Sequence, residues 1–322
     1  MSKLIIHVGT HKTATTFIQD TLALNAYVLA QNNIIFPKVG KFAGHHSLVT
    51  EWVEMAPAYS LEGGYEKVWN KLIDSYANTD KTVVLSSEEF SRFSPTHVDM
   101  RELRKRVSAF DSVEIVCTLK DQMKFLQSIY LEISKRRTPA SLMNWLANAH
   151  QTNLADGLLL DYDRLYEHFL TGFKPEEIKF LSFDQITRSS GVLNTFLEVI
   201  GYEGDRDAIQ EIEKPVNVSG EPLSVWIYNI INAPKPIQPR IIVMIERALS
   251  SHLPSHKPRS LFTEIEIEKM AAQFNPANEK FVKRIRRQQP EFNLPSIKKV
   301  TDSAFRSEVN QSFWIKLLRE HY

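Results

Sequence analysis

Short runs of apolar, mostly β-branched residues alternate with longer amphipathic stretches over the first 200 residues. Such runs are typical of buried strands in a parallel sheet. The predicted strands are Leu4–Val8, a brief extended piece at Ile34–Pro37, Thr82–Ser87, Val113–Leu119 and Ile178–Phe183. Strands that alternate with helices favour a parallel sheet with helices on both faces. We therefore predict an α/β fold.

The stretches between the strands have helical periodicity. Helices are predicted from near Thr13 onward, over 47–77 with an interruption at Gly63-Gly64, over 99–110, after Lys120, over 139–170 with a polar break at 151–156, and over Val192–Ile200. The first of them has apolar Phe17, Ile18, Leu22 and Leu24 as its support. Beyond about residue 205 the pattern is mostly helical and interrupted by prolines. Because we find no repeat and no low-complexity linker, we predict a single domain over 1–322 with a helical part at about 205–322.

Composition narrows the class of protein. The chain has 322 residues, 43% of them hydrophobic, and a formal net charge of +1, so no overall field favours nucleic acid as a partner. The lone Cys117 excludes an internal disulfide and fits a reducing compartment. The first strand begins at Leu4, and no apolar run reaches the roughly 18 residues that a membrane span needs. We expect a soluble, cytoplasmic protein without signal peptide or transmembrane segment, and leave its oligomeric state open.

The segment after the first strand has the features of a phosphate- or sulfate-binding loop. Gly9 permits a sharp turn, Lys12 supplies one cation, and small hydroxyl residues follow. A helix that begins near Thr13 directs its first backbone N–H groups, and the positive end of its dipole, at an anion. The candidate anion-binding residues are Gly9, Thr10, His11, Lys12, Thr13, Ala14, Thr15 and Thr16.

The spacing of this loop separates two classes of protein. Nucleoside triphosphatases have G-x-x-x-x-G-K-[ST], whereas here Lys12 comes three positions after Gly9. The segment G-T-H-K-T-A-T-T resembles the G-x-x-K-[TS]-G-T-T loop of the sulfotransferases, with Ala14 where Gly is usual. The resemblance implies that the loop holds 3′-phosphoadenosine 5′-phosphosulfate (PAPS). It also implies that Lys12 steadies the bridging oxygen during sulfuryl transfer.

A second segment resembles the same family. Sulfotransferases have an Arg at the end of a later strand and a Ser eight positions on, and the two bind the 3′-phosphate of PAPS. Lys120 and Ser128 have that separation after the strand Val113–Leu119. The resemblance implies that they hold the 3′-phosphate, although Lys lacks the bidentate fork of Arg. Lys124 is close enough in sequence to share the role.

Further short motifs follow the order found in the bacterial branch of the family, and they extend the resemblance over residues 3 to about 285. They are Asp161-Tyr162, Phe183-Asp184, the Leu193–Gly201 helix, Asn217–Ser219, Phe274 and Asn278. The resemblance implies a fold like that of the P-loop nucleoside triphosphatases, of the sulfotransferase type.

Sulfuryl transfer needs a general base for the acceptor proton. In the resembled family the base is His or Glu, and His46 is our first choice because an imidazole pKa near 6.5 lies close to working pH. His45 is its neighbour, and Glu88 and Glu89 after the Thr82–Ser87 strand are further candidates. Glu88 is either the base or a group that orients His46 or the acceptor. Adjacent histidines rarely share a metal, so no metal is expected.

The sequence thus predicts a PAPS-dependent sulfotransferase. The acceptor is expected to be a carbohydrate hydroxyl from the resemblance alone; a lipid, a small metabolite and a peptide stay open. A P-loop kinase is disfavoured by the Gly–Lys spacing and by Ser-Ser-Glu-Glu at the end of a strand where a Walker-type Asp is needed. A non-catalytic nucleotide-binding protein is disfavoured by Lys12 together with the candidate bases. The basic residues of 280–299 are interpreted as a solvated surface.

Overall fold

The computed structural model describes residues 1–136, 141–212, 221–232, 238–254, 256–299 and 302–319. The chain divides into two compact units. The first unit comprises Met1–Lys120, Asp156–Pro215 and Asn278–Pro295, and the second comprises Asp121–Ala155, Val216–Ala277 and Ser296–Tyr322. The single domain over 1–322 stays a prediction, and the Asn217–Ser219 motif lies outside the described residues.

The secondary structure alternates between strands and helices. The strands are β1 (Lys3–His7), β2 (Ile34–Ile35), β3 (Thr82–Ser86), β4 (Ser112–Leu119), β5 (Leu154–Ala155), β6 (Leu158–Leu159), β7 (Ile178–Ser182), β8 (Arg259–Ser260) and β9 (Ala304–Phe305). The α-helices are α1 (Thr15–Leu24), α2 (Ala26–Gln31), α3 (Gly64–Tyr76), α4 (Met100–Arg106), α5 (Gln122–Arg136), α6 (Leu142–Thr152), α7 (Tyr162–Leu170), α8 (Phe183–Arg188), α9 (Val192–Val199), α10 (Pro222–Asn232), α11 (Pro239–His252), α12 (Glu264–Ile285) and α13 (Gln311–Arg319).

The first unit contains a five-stranded sheet in the order β2-β3-β1-β4-β7. Its strand pairs are all parallel, which confirms the predicted α/β fold with a parallel sheet flanked by helices. The carboxyl ends of parallel strands meet at one edge, the edge where open α/β sheets bind ligands. The loop after β1, Glu88 after β3 and Lys120 after β4 therefore follow strand ends at the same edge.

Helix α1 packs its buried face on the sheet next to α9. Ile18 and Leu22 join Ile5 of β1 and Phe196 of α9 in one apolar cluster. Burial of a side chain of this size contributes roughly 1.5–3 kcal/mol. The expected support from Leu24 is wrong, since its side chain is 55% exposed. The buried face of α1 instead includes polar residues, Gln19 and Thr21 among them.

The helix predicted over 47–77 begins late. Only α3 is α-helical there, and two short 3₁₀ turns, His46–Val49 and Pro57–Tyr59, precede it. The carbonyl of Leu48 accepts from the indole Nε1 of Trp69 at 3.2 Å, and Pro57 has no N–H to donate to a helix. One carbonyl of this part is thus bound by a distant side chain, and the backbone bonds that remain form short turns rather than a continuous helix. The predicted break at 151–156 is confirmed by the end of α6 and by positive φ angles at Asn153 and Asp156.

The second unit is built on helices that share a separate apolar cluster. Leu223 and Ile227 of α10 pack with Ile245 and Leu249 of α11 and with Phe313 of α13. No helix in the described ranges is both long enough and apolar enough to cross a membrane.

Candidate functional site

The loop Gly9–Thr16 is fastened to the sheet before it turns. The Val8 N–H donates to the Val116 carbonyl at 2.8 Å and the Thr10 N–H to the Thr118 carbonyl at 3.0 Å. The Thr10 hydroxyl donates to the same Thr118 carbonyl at 2.8 Å, and the Thr13 hydroxyl donates to the Thr10 carbonyl at 2.6 Å. Both hydroxyls therefore shape the loop, and the binding of an anion by its residues stays a prediction.

The turn of the loop depends on residues with unusual backbone angles. Lys12 and Ala14 have φ values of 65° and 63°, in the left-handed region that favours glycine. Ala14 thus adopts the conformation of the Gly that is usual at this position. At Gly9 a Cβ would lie 2.9 Å from both the His7 Nε2 and the Thr15 Cγ2. Only glycine fits there without displacing the strand or the helix.

The start of α1 offers backbone donors to an anion. Ala14 is its N-cap, no side chain caps it, and the first turn has no acidic residue. Uncapped N–H groups at a helix start, next to the half-buried Lys12, form an environment that suits a phosphate or sulfate group. The described residues contain no group of three or more side chains that would hold a metal ion.

His46 and Glu88 lie together at the end of β3. The His46 Nδ1 is 2.9 Å from the Ser87 hydroxyl oxygen and 3.9 Å from the Glu88 Oε2. The side chains of His46 and Glu88 are 13% and 16% exposed. Within the described part of the chain no hydrogen bond reaches the His46 Nε2. In the His46 ring, Nδ1 is therefore held by Ser87, and Nε2 is available.

Glu88 is ionised by its surroundings. Burial acts to raise its pKa, but the charges of His11 and His46 and the hydrogen bonds to the carboxylate outweigh burial and hold the pKa below its usual range. One of these bonds comes from the Gln19 Nε2, at 3.2 Å from the Glu88 Oε2. A carboxylate in this state stabilises positive charge on the neighbouring imidazole.

His45 has a structural environment instead. It is fully buried, and the Ser86 N–H donates to its Nδ1 at 3.0 Å. The ring proton is therefore on Nε2, which donates to the Pro37 carbonyl at 2.7 Å. Burial lowers the pKa of His45 to about 4. With both nitrogens engaged by backbone groups, His45 is poorly suited to be the base.

Glu89 contacts the loop Gly9–Thr16 through the side chain of His11. The His11 Nε2 lies 3.1 Å from the Glu89 Oε1, and Arg92 donates to the other carboxylate oxygen. Burial acts to raise the pKa of Glu89, but His11 and Arg92 outweigh it and hold the pKa well below its usual range. Both its oxygens are thus engaged by cationic side chains. We infer an anchoring role for Glu89, toward His11 of the loop.

The residues assigned to the 3′-phosphate belong to different units, and each is described within its own. Lys120 directly follows β4 in the first unit, with its Nζ 5.2 Å from the centre of the Phe183 ring. Ser128 lies on α5 in the second unit, where its hydroxyl donates to the Lys124 carbonyl at 2.7 Å. Lys124 forms an ion pair with Asp121 at 3.2 Å. That Lys120 and Ser128 share one ligand stays a prediction.

The segment that carries His46 is anchored a few residues further along the chain by the ion pairs of Arg106 with Glu51 and Glu102. The Arg106 Nη2 lies 2.8 Å from the Glu51 carboxylate and 2.9 Å from that of Glu102, and the Trp52 Nε1 donates to Glu102 at 2.8 Å. Burial, and the hydrogen bond that the protonated carboxyl group of Glu51 donates to Glu102, raise the pKa of Glu51 to about 7, against the opposing charge of Arg106. The anchor therefore contains a carboxyl group that titrates near neutral pH.

Sequence reasoning missed Gln19, and a signal for it is present. Thr15, Ile18, Gln19 and Leu22 have the i, i+3, i+4, i+7 spacing of one helix face. A polar amide on that apolar face predicts a buried group that needs partners. Gly44 was not singled out either: a Cβ there would lie 2.5 Å from the Gln19 Oε1 and 2.6 Å from the His46 Nε2.

Comparison with known proteins gave structural similarities only. No family model matches the chain, and no curated protein matches its sequence. The chain is similar to the crystal structure of a sulfotransferase from Alicyclobacillus acidocaldarius, with 18% identity, 70% of this chain and 92% of that chain covered, and a TM-score of 0.41.

Two further similar structures are domains of biosynthetic enzymes. One is the sulfotransferase domain from the curacin biosynthetic pathway, with 12% identity, 85% and 98% of the two chains covered, and a TM-score of 0.36. The other is the sulfotransferase domain from the Synechococcus PCC 7002 olefin synthase, with 12% identity, 79% and 96% covered, and a TM-score of 0.34.

Proposed function

We propose that this protein is a sulfotransferase that moves a sulfuryl group from PAPS to an acceptor hydroxyl. The observation that carries the proposal is the placement of two features on adjacent parallel strands. The loop Gly9–Thr16 follows β1, and the His46–Glu88 pair lies at the end of β3. An anion-binding loop and a proton acceptor at the same edge of one sheet are the two elements that sulfuryl transfer requires.

The loop fits the phosphosulfate end of the donor. The space over Gly9 that no Cβ can occupy, the left-handed turn at Lys12 and Ala14, and the uncapped start of α1 suit a tetrahedral anion. PAPS, when bound, supplies the sulfuryl group and a phosphate leaving group. Lys12 and the N–H groups of the loop stabilise the negative charge that develops on the leaving group. Lys120 is proposed to hold the 3′-phosphate.

The His46–Glu88 pair provides the acceptor side. The Nε2 of His46 takes the proton of the acceptor hydroxyl, and the proton stays on the ring as an imidazolium. The carboxylate of Glu88, 3.9 Å from Nδ1, stabilises that charge, and the hydroxyl of Ser87 fixes the ring through Nδ1. Glu88 is the alternative base if His46 proves dispensable.

The acceptor is proposed to be a carbohydrate. The Tyr59 ring packs edge-on against His46 at 5.5 Å between centroids, and Phe42 lies 4.9 Å from Tyr59 with 40% of its surface exposed. This aromatic pair beside the base, with Phe42 exposed and Tyr59 half-buried, offers an apolar face to a sugar ring. This support agrees with the expectation drawn from the family resemblance.

A thermal-shift series with nucleotides tests the donor. We expect 3′-phosphoadenosine 5′-phosphate to stabilise the protein more than AMP, ADP or ATP, since a ligand at 100 times its Kd contributes about 2.7 kcal/mol. Lys120→Ala should abolish the preference for the 3′-phosphate and leave weaker binding through the loop. Equal shifts with all four nucleotides would contradict PAPS as the donor, and a larger shift with Mg²⁺-ATP would favour a kinase.

Turnover with labelled PAPS and a panel of glycans tests the reaction. Lys12→Met keeps the length of the side chain and removes its charge, so we expect kcat to fall by about 10²- to 10³-fold. We also expect turnover to continue in excess EDTA, because Lys12 and the loop amides supply the neutralising charge. A strict requirement for Mg²⁺ would contradict this mechanism.

A further inference from the structure

Gln19 is a buried polar side chain that is hydrogen-bonded to Ser86 and Glu88 next to the candidate site. It lies on α1, four residues after the helix begins, and is 3% exposed. Its Nε2 lies 3.2 Å from the Ser86 hydroxyl oxygen, 3.3 Å from the Ser86 carbonyl oxygen and 3.2 Å from the Glu88 Oε2. All three partners accept hydrogen bonds, so the amide must face them with its NH₂ group rather than with its oxygen.

The hydrogen bonds continue into the sheet through Ser86. Because the Ser86 hydroxyl accepts from Gln19, its own proton is available to the His7 Nδ1 at 2.9 Å. His7 is fully buried, and burial lowers its pKa to about 4 against the weaker attraction of Glu88. A neutral His7 therefore serves as a fixed hydrogen-bond partner. The amide of Gln19 is held by groups that do not change charge near pH 7.

The same amide is confined from the other side by Gly44. A Cβ at Gly44 would lie 2.5 Å from the Gln19 Oε1 and 2.6 Å from the His46 Nε2. The amide of Gln19 and the imidazole of His46 thus pack against one small backbone segment. The carboxylate of Glu88 has contacts with both, at 3.2 Å and 3.9 Å.

We propose that Gln19 is a positioning residue, which holds the carboxylate of Glu88 beside His46 from the helix that begins at the phosphate loop. The inference rests on the proposed function, because it explains how the base and the anion loop are kept in one arrangement. Gln19 itself does not touch the reacting atoms. Its donor compensates the carboxylate for water lost by burial, so that Glu88 stays charged where His46 needs a negative partner.

The test is the titration of the Glu88 carboxyl group in the resting protein, followed by NMR of labelled glutamate. In Gln19→Leu the carboxylate loses an N–H donor that helps to hold its pKa below the usual range, so we expect the pKa of Glu88 to rise. In the Glu88→Gln background Gln19→Leu should lower turnover little further, because both changes remove one interaction.

Kinetics provide the second measurement. In Gln19→Leu we expect kcat to fall by about tenfold with KM for the donor unchanged, while 3′-phosphoadenosine 5′-phosphate binds as in the wild type. Gln19→Met is the alternative if the branched side chain does not fit. Asn25→Leu is the matched control, since Asn25 is a buried amide at the other end of α1 that donates to the Thr21 and Gln210 carbonyls. It should leave the titration of Glu88 and kcat unchanged.

The outcomes separate this inference from the proposed function. A folded Gln19→Leu or Gln19→Met protein in which Glu88 titrates as in the wild type would overturn the positioning role. The same conclusion would follow if Asn25→Leu raised the pKa of Glu88 equally. Failure of the nucleotide to bind wild-type protein would instead remove the proposed function, and the titration of Glu88 would still decide whether Gln19 acts on it.

Discussion

The two halves of the candidate site are held by different kinds of bonds. The loop Gly9–Thr16 is fixed through backbone groups. The N–H groups at its start pair with β4, and two of its hydroxyls donate to backbone carbonyls of the loop and the strand. Two of its residues also take left-handed backbone angles. The His46–Glu88 pair is fixed by side chains, through Ser87 and Gln19. Changes in the loop should therefore act on the shape that binds an anion. Changes at the pair should act on protonation.

The largest effect is expected at His46. His46→Ala should lower kcat by about 10²- to 10⁴-fold, the usual cost of losing a general base, and should leave the nucleotide-induced thermal shift intact. Turnover and thermal shift are measured on the same preparation. If His46→Ala has near-normal turnover and Glu88→Gln is inactive, the base is Glu88. The loop would then still act on anion binding and the pair on protonation.

His45→Ala sharpens this result. Both ring nitrogens of His45 bond to buried backbone groups, so its loss leaves the Ser86 N–H and the Pro37 carbonyl without their partner. Each unsatisfied group costs about 1–3 kcal/mol. We expect His45→Ala to lower the melting temperature clearly, with turnover per folded molecule affected much less than in His46→Ala.

An intermediate effect, on stability, is expected at Glu51 behind the His46 segment. A raised carboxyl pKa means that the folded state binds the proton more tightly than the unfolded state. The stabilisation is therefore complete below pH 4.5 and is lost as the pH rises through about 7. Glu51→Gln keeps a neutral side chain at every pH. Its melting temperature relative to the wild type should increase between pH 6 and pH 8.5.

Exposed Glu54 provides the control for Glu51. Glu54→Gln removes a carboxylate from the same segment without entering the Arg106 cluster, so its difference from the wild type should not follow the pH in this way. A flat difference for Glu51→Gln between pH 6 and pH 8.5 would show that the anchor of the His46 segment does not titrate.

The smallest effect is expected at Ala14 in the loop. Because its φ is 63°, Ala14→Gly should relieve a strained backbone and raise the free energy of unfolding by about 0.5–1 kcal/mol. Ala23→Gly, at an ordinary helical position of α1, should lower it by a similar amount. Denaturant unfolding of the two variants checks the opposite signs, and equal signs would mean that the left-handed angle at Ala14 carries no strain.

Local patterns predicted the strands well. The apolar run Thr82–Ser87 corresponds to β3 and Val113–Leu119 to β4 within one residue, because a β-branched run buried on both faces has few alternatives. The helix predicted over 47–63 is wrong, since only two short 3₁₀ turns form there. The Leu48 carbonyl is bound by Trp69, a distant partner that no periodicity reveals.

Part of the candidate site could also be predicted from the sequence. The loop after β1 could be located because its glycine, lysine and threonines follow a strand directly. The preference for His46 over His45 stays a prediction, and the cause of their different environments, which is the ring that the Ser86 N–H reaches, could not be predicted. Gln19 was missed because a single amide in an apolar helix face gives no indication of its acceptors, which come from 67 and 69 positions away.

Gly44 is a position at which this arrangement can be followed by comparing related genes. Every substitution at a glycine codon that changes the amino acid adds at least a Cβ, and here that atom would lie within 2.6 Å of both the Gln19 Oε1 and the His46 Nε2. A substitution at this position, which has no side chain of its own, would therefore displace both side chains unless they moved with it. Among related genes, we expect a change at Gly44 to accompany a change at Gln19 or His46.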